Sequence, residues 1–322
     1  MKISYNWLKE ILEFNLDSDQ TSALLTDIGL EVEREEVYEN IKGGLQGLIV
    51  GEVKSVEKHP NADRLNITQV DLGEDENYTI VCGAPNVKKG QKVVVAKPGT
   101  TIFPKNNSSF EIKNAKIRGQ ESFGMICAED EIGLGDGHDG ILVLDKDANI
   151  GDSAANYFNV FRDTIFEIGL TPNRADAMSH YGVARDLLAA LKFKKLLPFS
   201  SALKAIPEKS QITTRKNIEI NISIEDSVQC QRYTGIVIKN IQVNPSPKWL
   251  KDKLESIGIK PINNIVDVTN YVLHNFGQPL HAFDLDKIIG KEIKVRAPKD
   301  QTLVTTLDGQ ERKLDKEDIM IC

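Results

Sequence analysis

The residues from Leu48 to Gly99 read LIVGEVKSVEKHPNADRLNITQVDLGEDENYTIVCGAPNVKKGQKVVVAKPG. In this stretch, short runs rich in Val, Ile and Thr alternate with clusters of Gly, Pro, Asn and Asp. Such punctuation predicts short strands joined by turns. Two further runs of the same kind follow at GMICA (124–128) and GILVLD (140–145). The middle of the chain is therefore predicted to be a small all-β barrel or sandwich.

Helical patterns lie on both sides of the predicted barrel. Ser4 can cap a first helix, and Ser18 or Asp19 can cap a second helix that ends at Gly29. After the barrel, apolar residues recur at helical spacing, namely Ala184, Leu187, Leu188 and Leu191. Two short helices cannot bury enough apolar surface by themselves. The N-terminal helices therefore need a partner, which is either the later helix or another subunit. In the first case the barrel is inserted in sequence into one helical domain.

The last third of the chain predicts a mixed α+β region. Its expected elements are a strand at 217–224, a helix that starts at Ser246-Pro247 and ends before Gly258, a helix at 267–276 capped by Asp267, and a hairpin around 307–309. The final residues, DIMIC (318–322), look like a strand that has no partner. On this ground we expect the sequence to be part of a longer chain.

The composition predicts a soluble protein of two or three domains. Of the 322 residues, 40% are hydrophobic and 27% are charged, which is typical of globular chains. No apolar run approaches the ~18 residues of a membrane helix, and the start lacks a signal-peptide core. The four cysteines lie far apart and form no CxxC pair, which favours reduced thiols in the cytoplasm. Zinc ligation is not expected, because the five histidines are scattered as well.

Charge is unevenly distributed along the chain. The net charge of −7 argues against broad, non-specific binding to nucleic acid. Between Asn86 and Arg118, however, seven Lys and one Arg face a single acid, Glu111. Acidic segments flank this region at 31–39 and 129–139. A basic face on an acidic protein suits a specific anionic partner, and a solvated lysine-rich surface is the alternative.

The barrel region resembles the EMAP-type tRNA-binding module, which is an OB-type barrel. The resemblance is carried by EKHPNADRL (57–65), VDLG (70–73), VCGAPNV (81–87) and KIRGQESFGMICAE (116–129). It implies that Arg64, Arg118, Ser122 and Met125 face the tRNA. For Ser122 and Met125 the alternative is that they complete the barrel.

The residues around these motifs also suggest an RNA contact. Lys58, His59 and Arg64 flank a Pro-Asn-Ala-Asp turn, so all three can project from one loop. Three more cations are expected along one strand, namely Lys113, Lys116 and Arg118. Cations of this kind contact phosphates and position the nucleic acid. For His59 the alternative is a turn residue.

A second motif lies at 263–284, NNIVDVTNYVLHNFGQPLHAFD. Polar groups stand there among Val, Ile, Leu, Tyr and Phe, and a buried polar group is costly unless it is paired. These groups therefore form a satisfied network or line a pocket. The motif resembles the editing domain of the bacterial phenylalanyl-tRNA synthetase (phenylalanine–tRNA ligase) β subunit, and TPNRADAMSHYGVARDLLA (171–189) matches the same family.

The resemblance implies roles for four residues. Thr269, Asn270 and His281 would line the editing pocket, with His281 bonded to substrate or water and Asn270 to the aminoacyl backbone. Lys260 would contact the acceptor end of the tRNA, at a place where relatives often carry arginine, whose bidentate fork a lysine lacks.

The expected editing chemistry is hydrolysis by a positioned water. A pocket built for phenylalanine rejects the added hydroxyl of tyrosine poorly, so a second hydrolytic site is a sensible solution. No Ser-His-Asp, Cys-His or metal-binding pattern is visible in the sequence, which leaves polar orienters and water. The resemblance further implies that a carboxylate and a glycine-rich segment of this pocket lie beyond Cys322. We therefore expect this chain to hold half of an editing site.

The predicted fold class is a multidomain α+β protein. Its domains are a helical scaffold of residues 1–40 and 152–198, an inserted OB-type barrel at 41–151 and a truncated mixed α/β editing domain at 212–322. The resemblance implies a cytoplasmic ligase subunit that joins L-phenylalanine to tRNA(Phe), with an α subunit partner in an α2β2 complex and no membrane. ATP and Mg²⁺ would serve the complete enzyme, with neither bound here. The alternatives are a stand-alone tRNA-binding accessory protein and a trans-acting aminoacyl-tRNA deacylase.

Overall fold

A computed structural model describes residues 1–105, 108–205, 220–298, 302–306 and 309–322. Over these residues, it contains no helix with the length and apolar character needed to cross a bilayer. Part of the predicted strand at 217–224 and part of the predicted turn at 307–309 lie outside the described residues.

Two separate parts of the sequence build the first unit. Its elements are β1 (Lys2–Ser4), α1 (Tyr5–Ile11), α2 (Ser18–Asp27), β2 (Glu31–Glu39), β13 (Arg162–Gly169), a 3-10 turn (Ala175–Ala177) and α4 (His180–Phe193). Strand β13 lies between β1 and β2 in an antiparallel sheet. A shared apolar core joins both parts and includes Leu8, Leu25, Phe166, Val183 and Leu187.

The predicted helical scaffold thus also contains a three-stranded sheet, which the sequence analysis did not predict. The strand β2 escapes detection because its sequence, EVEREEVYE, is mostly acidic and it lies at the exposed edge of the sheet. Ser4 does cap α1, since its side chain accepts the Trp7 N–H. The cap of α2 is Asp17, which forms a capping box with Gln20, rather than Ser18 or Asp19.

The middle of the chain forms a barrel-like sheet. The strands are β3 (Leu48–Lys58), β4 (Asn66–Asp71), β5 (Tyr78–Cys82), β6 (Lys92–Ala96), β7 (Thr101–Ile102), β8 (Phe110–Glu111), β9 (Ala115–Ile117), β10 (Gln120–Ser122), β11 (Met125–Ile126) and β12 (Val143–Leu144), with a 3-10 turn at Asp130–Ile132. The short helix α3 (Ala154–Tyr157) packs against the core of this sheet. The main sheet runs β11-β6-β3-β4-β5, and β12 also pairs with β6. The N–H of Phe123 donates to the Thr79 carbonyl at 2.8 Å, so the sheet nearly closes between its two ends.

The C-terminal region is mixed, as predicted. Its elements are β14 (Asn221–Ile224), α5 (Lys248–Ser256), α6 (Asn264–Phe276), 3-10 turns at Leu285–Lys287 and Ile289–Lys291, β15 (Glu292–Arg296), β16 (Leu303–Thr305), β17 (Glu311–Lys313) and β18 (Met320–Ile321). The predicted hairpin is confirmed as β16 paired with β17. The final strand, β18, does have a partner, because it pairs antiparallel with β15. That prediction failed because strand pairing over long sequence separations leaves no local signal.

Two predicted helix starts are corrected. Helix α6 begins earlier than expected, since Asn263 caps it by accepting two backbone N–H groups. Asp267 is instead fully buried inside the helix, where it accepts the Ser246 hydroxyl and the Ile262 N–H. Ser246 therefore does not cap α5, whose N-cap position is Pro247. The predicted end of α6 at Gly277 is confirmed, with a φ of 77° at that glycine.

Candidate nucleic-acid interface and pocket residues

The predicted cations Lys113, Lys116 and Arg118 do not lie along one strand, because the chain forms the hairpin β9–β10 in this region. Ile117 pairs with Gln120, so the turn contains only Arg118 and Gly119. Their φ values are 50° and 96°, which is the positive range that a type I′ turn requires at both positions. Arg118 therefore stands at the tip of the hairpin, Lys116 lies in β9, and Lys113 lies before it. The prediction that all three share one strand is wrong.

His59 links the 58–65 loop to this hairpin. Its side chain is buried, with 5% of its surface exposed. The Asn61 N–H donates to its Nδ1 at 3.0 Å, so Nε2 carries the proton and donates to the Ile117 carbonyl at 3.1 Å. Both ring nitrogens are thus occupied by the backbone. In this geometry His59 holds the loop against the hairpin, and the neighbouring cations are the groups that can reach a phosphate.

The lysines of the basic region fall into two classes. Lys92, Lys97 and Lys105 each form a salt bridge, with Glu52, Glu74 and Asp136 respectively. A second set is exposed and forms no salt bridge with any described residue, namely Lys58, Arg64, Lys88, Lys89, Lys113, Lys116 and Arg118. Five of these cations lie in the 58–65 loop and the 113–118 segment, which together we call the cationic edge.

Ser122 and Met125 occupy structural positions. Ser122 is 2% exposed, and its hydroxyl accepts the Val81 N–H at 3.1 Å and donates to the Gly124 carbonyl at 3.2 Å. Met125 pairs with Ala96 in the main sheet and packs against the barrel core. These contacts complete the barrel, which is the alternative that the sequence left open. Their direct contact with tRNA remains a prediction.

The predicted pocket residues lie on α6 and on the loop after it, and Lys260, the predicted tRNA contact, lies just before α6. The Thr269 hydroxyl donates to the Val266 carbonyl at 2.7 Å, within its own helix. Asn270 is half-buried, and its side chain forms no hydrogen bond with the part of the chain described here. His281 is exposed in the loop before the Leu285–Lys287 turn and stacks on Phe283, with ring centroids 6.1 Å apart. Lys260 is exposed and forms no salt bridge with a described residue.

A cleft and a smaller hollow lie elsewhere in the described residues. A cleft of about 550 Å³ separates the segment 155–161 from α5 and is lined by Ala155, Asn156, Asn159, Val160, Phe161, Lys248, Trp249 and Asp252. A much smaller hollow lies beside β15. Neither includes Asn270 or His281. The structure thus leaves Asn270 and His281 accessible, without enclosing them in either cavity.

The described residues do not suit a resident metal ion. No group of three or more His, Cys, Asp or Glu side chains among them could hold one. All four cysteines are free thiols, and burial raises the pKa of both Cys82 and Cys127. Neither buried thiol therefore has the lowered pKa that a reactive or metal-binding cysteine needs.

Sequence reasoning missed one set of polar contacts. Trp7, His180 and Asn275 are buried together where α1 and α4 meet α6. A signal was present, since Asp267, Tyr271 and Asn275 recur every four residues and so share a face of α6. That pattern does not say which distant element the face will meet.

Comparison with known proteins agrees with both motifs. Residues 48–153 match the family described as "Putative tRNA binding domain", and residues 229–322 match the "B3/4 domain". The phenylalanine–tRNA ligase beta subunits of Bacteroides fragilis and Porphyromonas gingivalis are each 52% identical to this chain over 322 residues. Those alignments cover 100% of this chain and 39% of each relative.

Solved structures give a weaker likeness. The MetRS related protein from Pyrococcus horikoshii is 25% identical over 32% of this chain and 84% of that protein, with a TM-score of 0.24. A TM-score that low supports no fold assignment.

The two domain matches define a class of chain that joins a tRNA-binding domain to a B3/4 domain. Over its whole length, including the N-terminal unit and the segments outside the two matched domains, the chain is similar to phenylalanine–tRNA ligase beta subunits. It spans 39% of the length of these curated relatives.

Proposed function

We propose that this chain is the part of a phenylalanine–tRNA ligase β subunit that binds tRNA and contributes residues to a site that hydrolyses mischarged Tyr-tRNA(Phe). The complete ligase would join L-phenylalanine to tRNA(Phe) with ATP, and its synthetic site would lie outside the residues described here. The observation that carries the tRNA-binding part is the cationic edge, which stays unneutralised on a protein of net charge −7.

The cationic edge suits a phosphate backbone more than a set of stacked bases. Four of its five cations, Lys58, Arg64, Lys116 and Arg118, come from a loop and a hairpin that His59 holds together, so the spacing of their backbone positions is fixed before RNA arrives. Preorganised cations lose little side-chain and loop entropy on binding. Large exposed aromatic residues nearby are few, with Phe110 and Phe123 being 45% and 38% exposed. Backbone and shape recognition therefore fits this surface.

The first prediction compares the two classes of lysine. Arg64→Gln and Lys116→Gln should each weaken tRNA(Phe) binding, because each removes an unneutralised cation. If each contacts one phosphate, the slope of log K against log salt should fall by roughly 0.7 to 0.9 per variant. Binding is measured at several salt concentrations.

The matched controls are Lys92→Gln and Lys105→Gln, whose ammonium groups already neutralise Glu52 and Asp136. These controls should leave the slope unchanged. Equal losses in both classes would mean that the surface acts through general charge, which contradicts a specific interface.

The editing part of the proposal rests on the accessibility of three groups near α6. Asn270 and His281 offer an amide and an imidazole, which can fix an ester and orient a water. Lys260 adds an exposed cation before α6, where an acceptor end can be held by its phosphates. Because Asn270 and His281 are not enclosed by either described cavity, we propose that further residues of the subunit complete the pocket.

The second prediction tests this site in the full-length β subunit bound to its α subunit. His281→Ala and Asn270→Ala should slow deacylation of Tyr-tRNA(Phe) by about 100-fold, the scale of a lost acid–base or orienting group. Synthesis of Phe-tRNA(Phe) should stay within twofold of the parent. The control is Gln278→Ala, because Gln278 is exposed and bonds only the Pro279 carbonyl among the described residues. Normal deacylation by both site variants would refute the assignment.

The remaining family properties are proposals of the same kind. We propose an α subunit partner in an α2β2 assembly and a cytoplasmic location. We also propose the domain boundaries 1–40 with 152–198, 41–151 and 212–322, with the barrel being of the OB type. ATP and Mg²⁺ would serve the complete ligase, and the described residues provide no cluster to which a metal-dependent step could be assigned.

A further inference from the structure

Trp7 lies at the centre of a stack of rings that joins two regions of the chain. It is 1% exposed. Its indole stacks on the His180 imidazole with centroids 4.0 Å apart and on the Tyr271 ring with centroids 5.0 Å apart. Trp7 belongs to α1 and His180 to α4, whereas Tyr271 belongs to α6, the helix that carries Thr269 and Asn270. The stack therefore connects the first unit to the candidate editing helix.

Directional hydrogen bonds fix the same junction. The indole Nε1–H of Trp7 donates to the Asn275 Oδ1 at 2.8 Å. The Ser4 N–H donates to the His180 Nε2 at 2.9 Å, so the His180 Nδ1 carries the proton and donates to the His274 carbonyl at 2.8 Å. Both bonds to α6 reach its C-terminal half. A buried donor or acceptor that loses its partner is costly, so these bonds define one orientation of the helix.

A third contact comes from α5. The Lys253 ammonium lies 4.9 Å from the centroid of the Trp7 ring and forms an ion pair with Glu10 of α1. The lysine side chain is 9% exposed, so it reaches this position along buried surface. Both helices of the pair α5–α6 therefore rest on α1.

We propose that Trp7, His180 and Asn275 are positioning residues for the editing site, because they hold α6 at the angle that presents Asn270. This inference rests on the proposed editing function. The first turn of α6 is fixed separately, through Asp267 and the segment before the helix. Asn270 lies between this anchor and the Trp7 junction. A helix held at both ends presents its middle residues in one direction, which a catalytic site needs to within about 0.5 Å.

The test is a double-mutant cycle in the full-length β subunit bound to its α subunit. Trp7→Phe keeps a ring in the stack but removes the indole donor, and Asn275→Leu removes the acceptor. Each single variant should lower the kcat for Tyr-tRNA(Phe) deacylation by about tenfold at 25 °C, with Phe-tRNA(Phe) synthesis unchanged. Amide hydrogen exchange in residues 270–276 should become faster in the same variants. The double variant should recover most of the activity, because neither polar group is then left unpaired.

A control separates positioning from stability. Leu25→Ala creates a cavity in the same apolar core but removes no hydrogen bond or ring of the Trp7 junction, and it should lower the melting temperature without changing deacylation at 25 °C. If Leu25→Ala slows deacylation as much as Trp7→Phe does, the residues act through stability and the inference is wrong. It is also wrong if the single variants deacylate like the parent. A parent complex that fails to deacylate Tyr-tRNA(Phe) would instead overturn the proposed function, and this inference with it.

Discussion

His180 shows how burial fixes the chemical state of one residue. Its side chain is fully buried, and both ring nitrogens are bonded to the backbone. Burial lowers the pKa of His180 to about 3, although the bond to the His274 carbonyl opposes that shift. Nearby Lys253 also disfavours a positive imidazole. The ring therefore remains neutral and keeps one tautomer throughout the physiological pH range.

The third prediction concerns the pH dependence of the free energy of unfolding, whose direction follows from the neutral state of His180. Because the pKa is lower in the folded protein than in the unfolded chain, the unfolded chain binds the extra proton as the pH falls. His180 should therefore reduce the free energy of unfolding as the pH falls from about 6.5 towards 3, by up to about 1.4 kcal/mol per pH unit. Above about pH 6.5 this contribution should be constant.

Urea unfolding at pH 7, 6 and 5 checks the prediction. His180→Asn cannot titrate, so its free energy of unfolding should depend less on pH by about one proton's slope. The variant should also be less stable at pH 7, since it loses the stack on Trp7. Parallel pH profiles for the parent and His180→Asn would contradict the assignment.

At the scale of elements, the two turn residues of the β9–β10 hairpin allow the effect of backbone conformation on stability to be measured separately from the effect of charge on binding. Gly119 has a φ of 96°, and the nearest atom to a Cβ built there is the Asn61 Nδ2, at 3.9 Å. Space is therefore available, and only the backbone conformation opposes a side chain. Gly119→Ala should lower the free energy of unfolding by about 1 kcal/mol, which is the cost of a left-handed residue with a Cβ.

Arg118 provides the complementary variant in the same turn. Asn tolerates the left-handed conformation that Arg118 adopts at a φ of 50°. Arg118→Asn should therefore keep the stability of the barrel while weakening tRNA(Phe) binding, since it removes only the charge. Urea unfolding and a salt titration of binding measure the two effects. The assignment of the two effects would be contradicted if Gly119→Ala unfolded with the parent's free energy, or if Arg118→Asn bound tRNA(Phe) as tightly as the parent.

At the scale of the whole molecule, charge and connectivity are both organised over long distances. Five of the nine residues of strand β2, which lies at a sheet edge, are glutamates, whereas the cationic edge lies on the barrel-like sheet. The chain leaves the first unit after β2 and returns to it at β13, which pairs with β1 and β2. Charged residues on a free sheet edge discourage pairing with another chain. The glutamates of β2 thus protect the free edge of the first unit's sheet.

Local pattern determined much of this protein. The barrel strands, the end of α6 at Gly277 and the hairpin of β16 and β17 all follow from short-range rules on turns, caps and alternation. The motif residues of the cationic edge were also found from sequence, because turn residues and cations are recognisable one by one. These features depend on neighbours only a few positions apart.

Tertiary structure alone decided the rest. Strand β2, the partner of β18 and the burial of Asp267 depend on pairings between distant residues, which no local pattern contains. Only folding shows that His59 has both nitrogens occupied, or that Trp7 meets Asn275 across 268 positions of sequence. Residue types specify which hydrogen bonds and stacks are possible. The competition among all buried groups for partners selects which of them form.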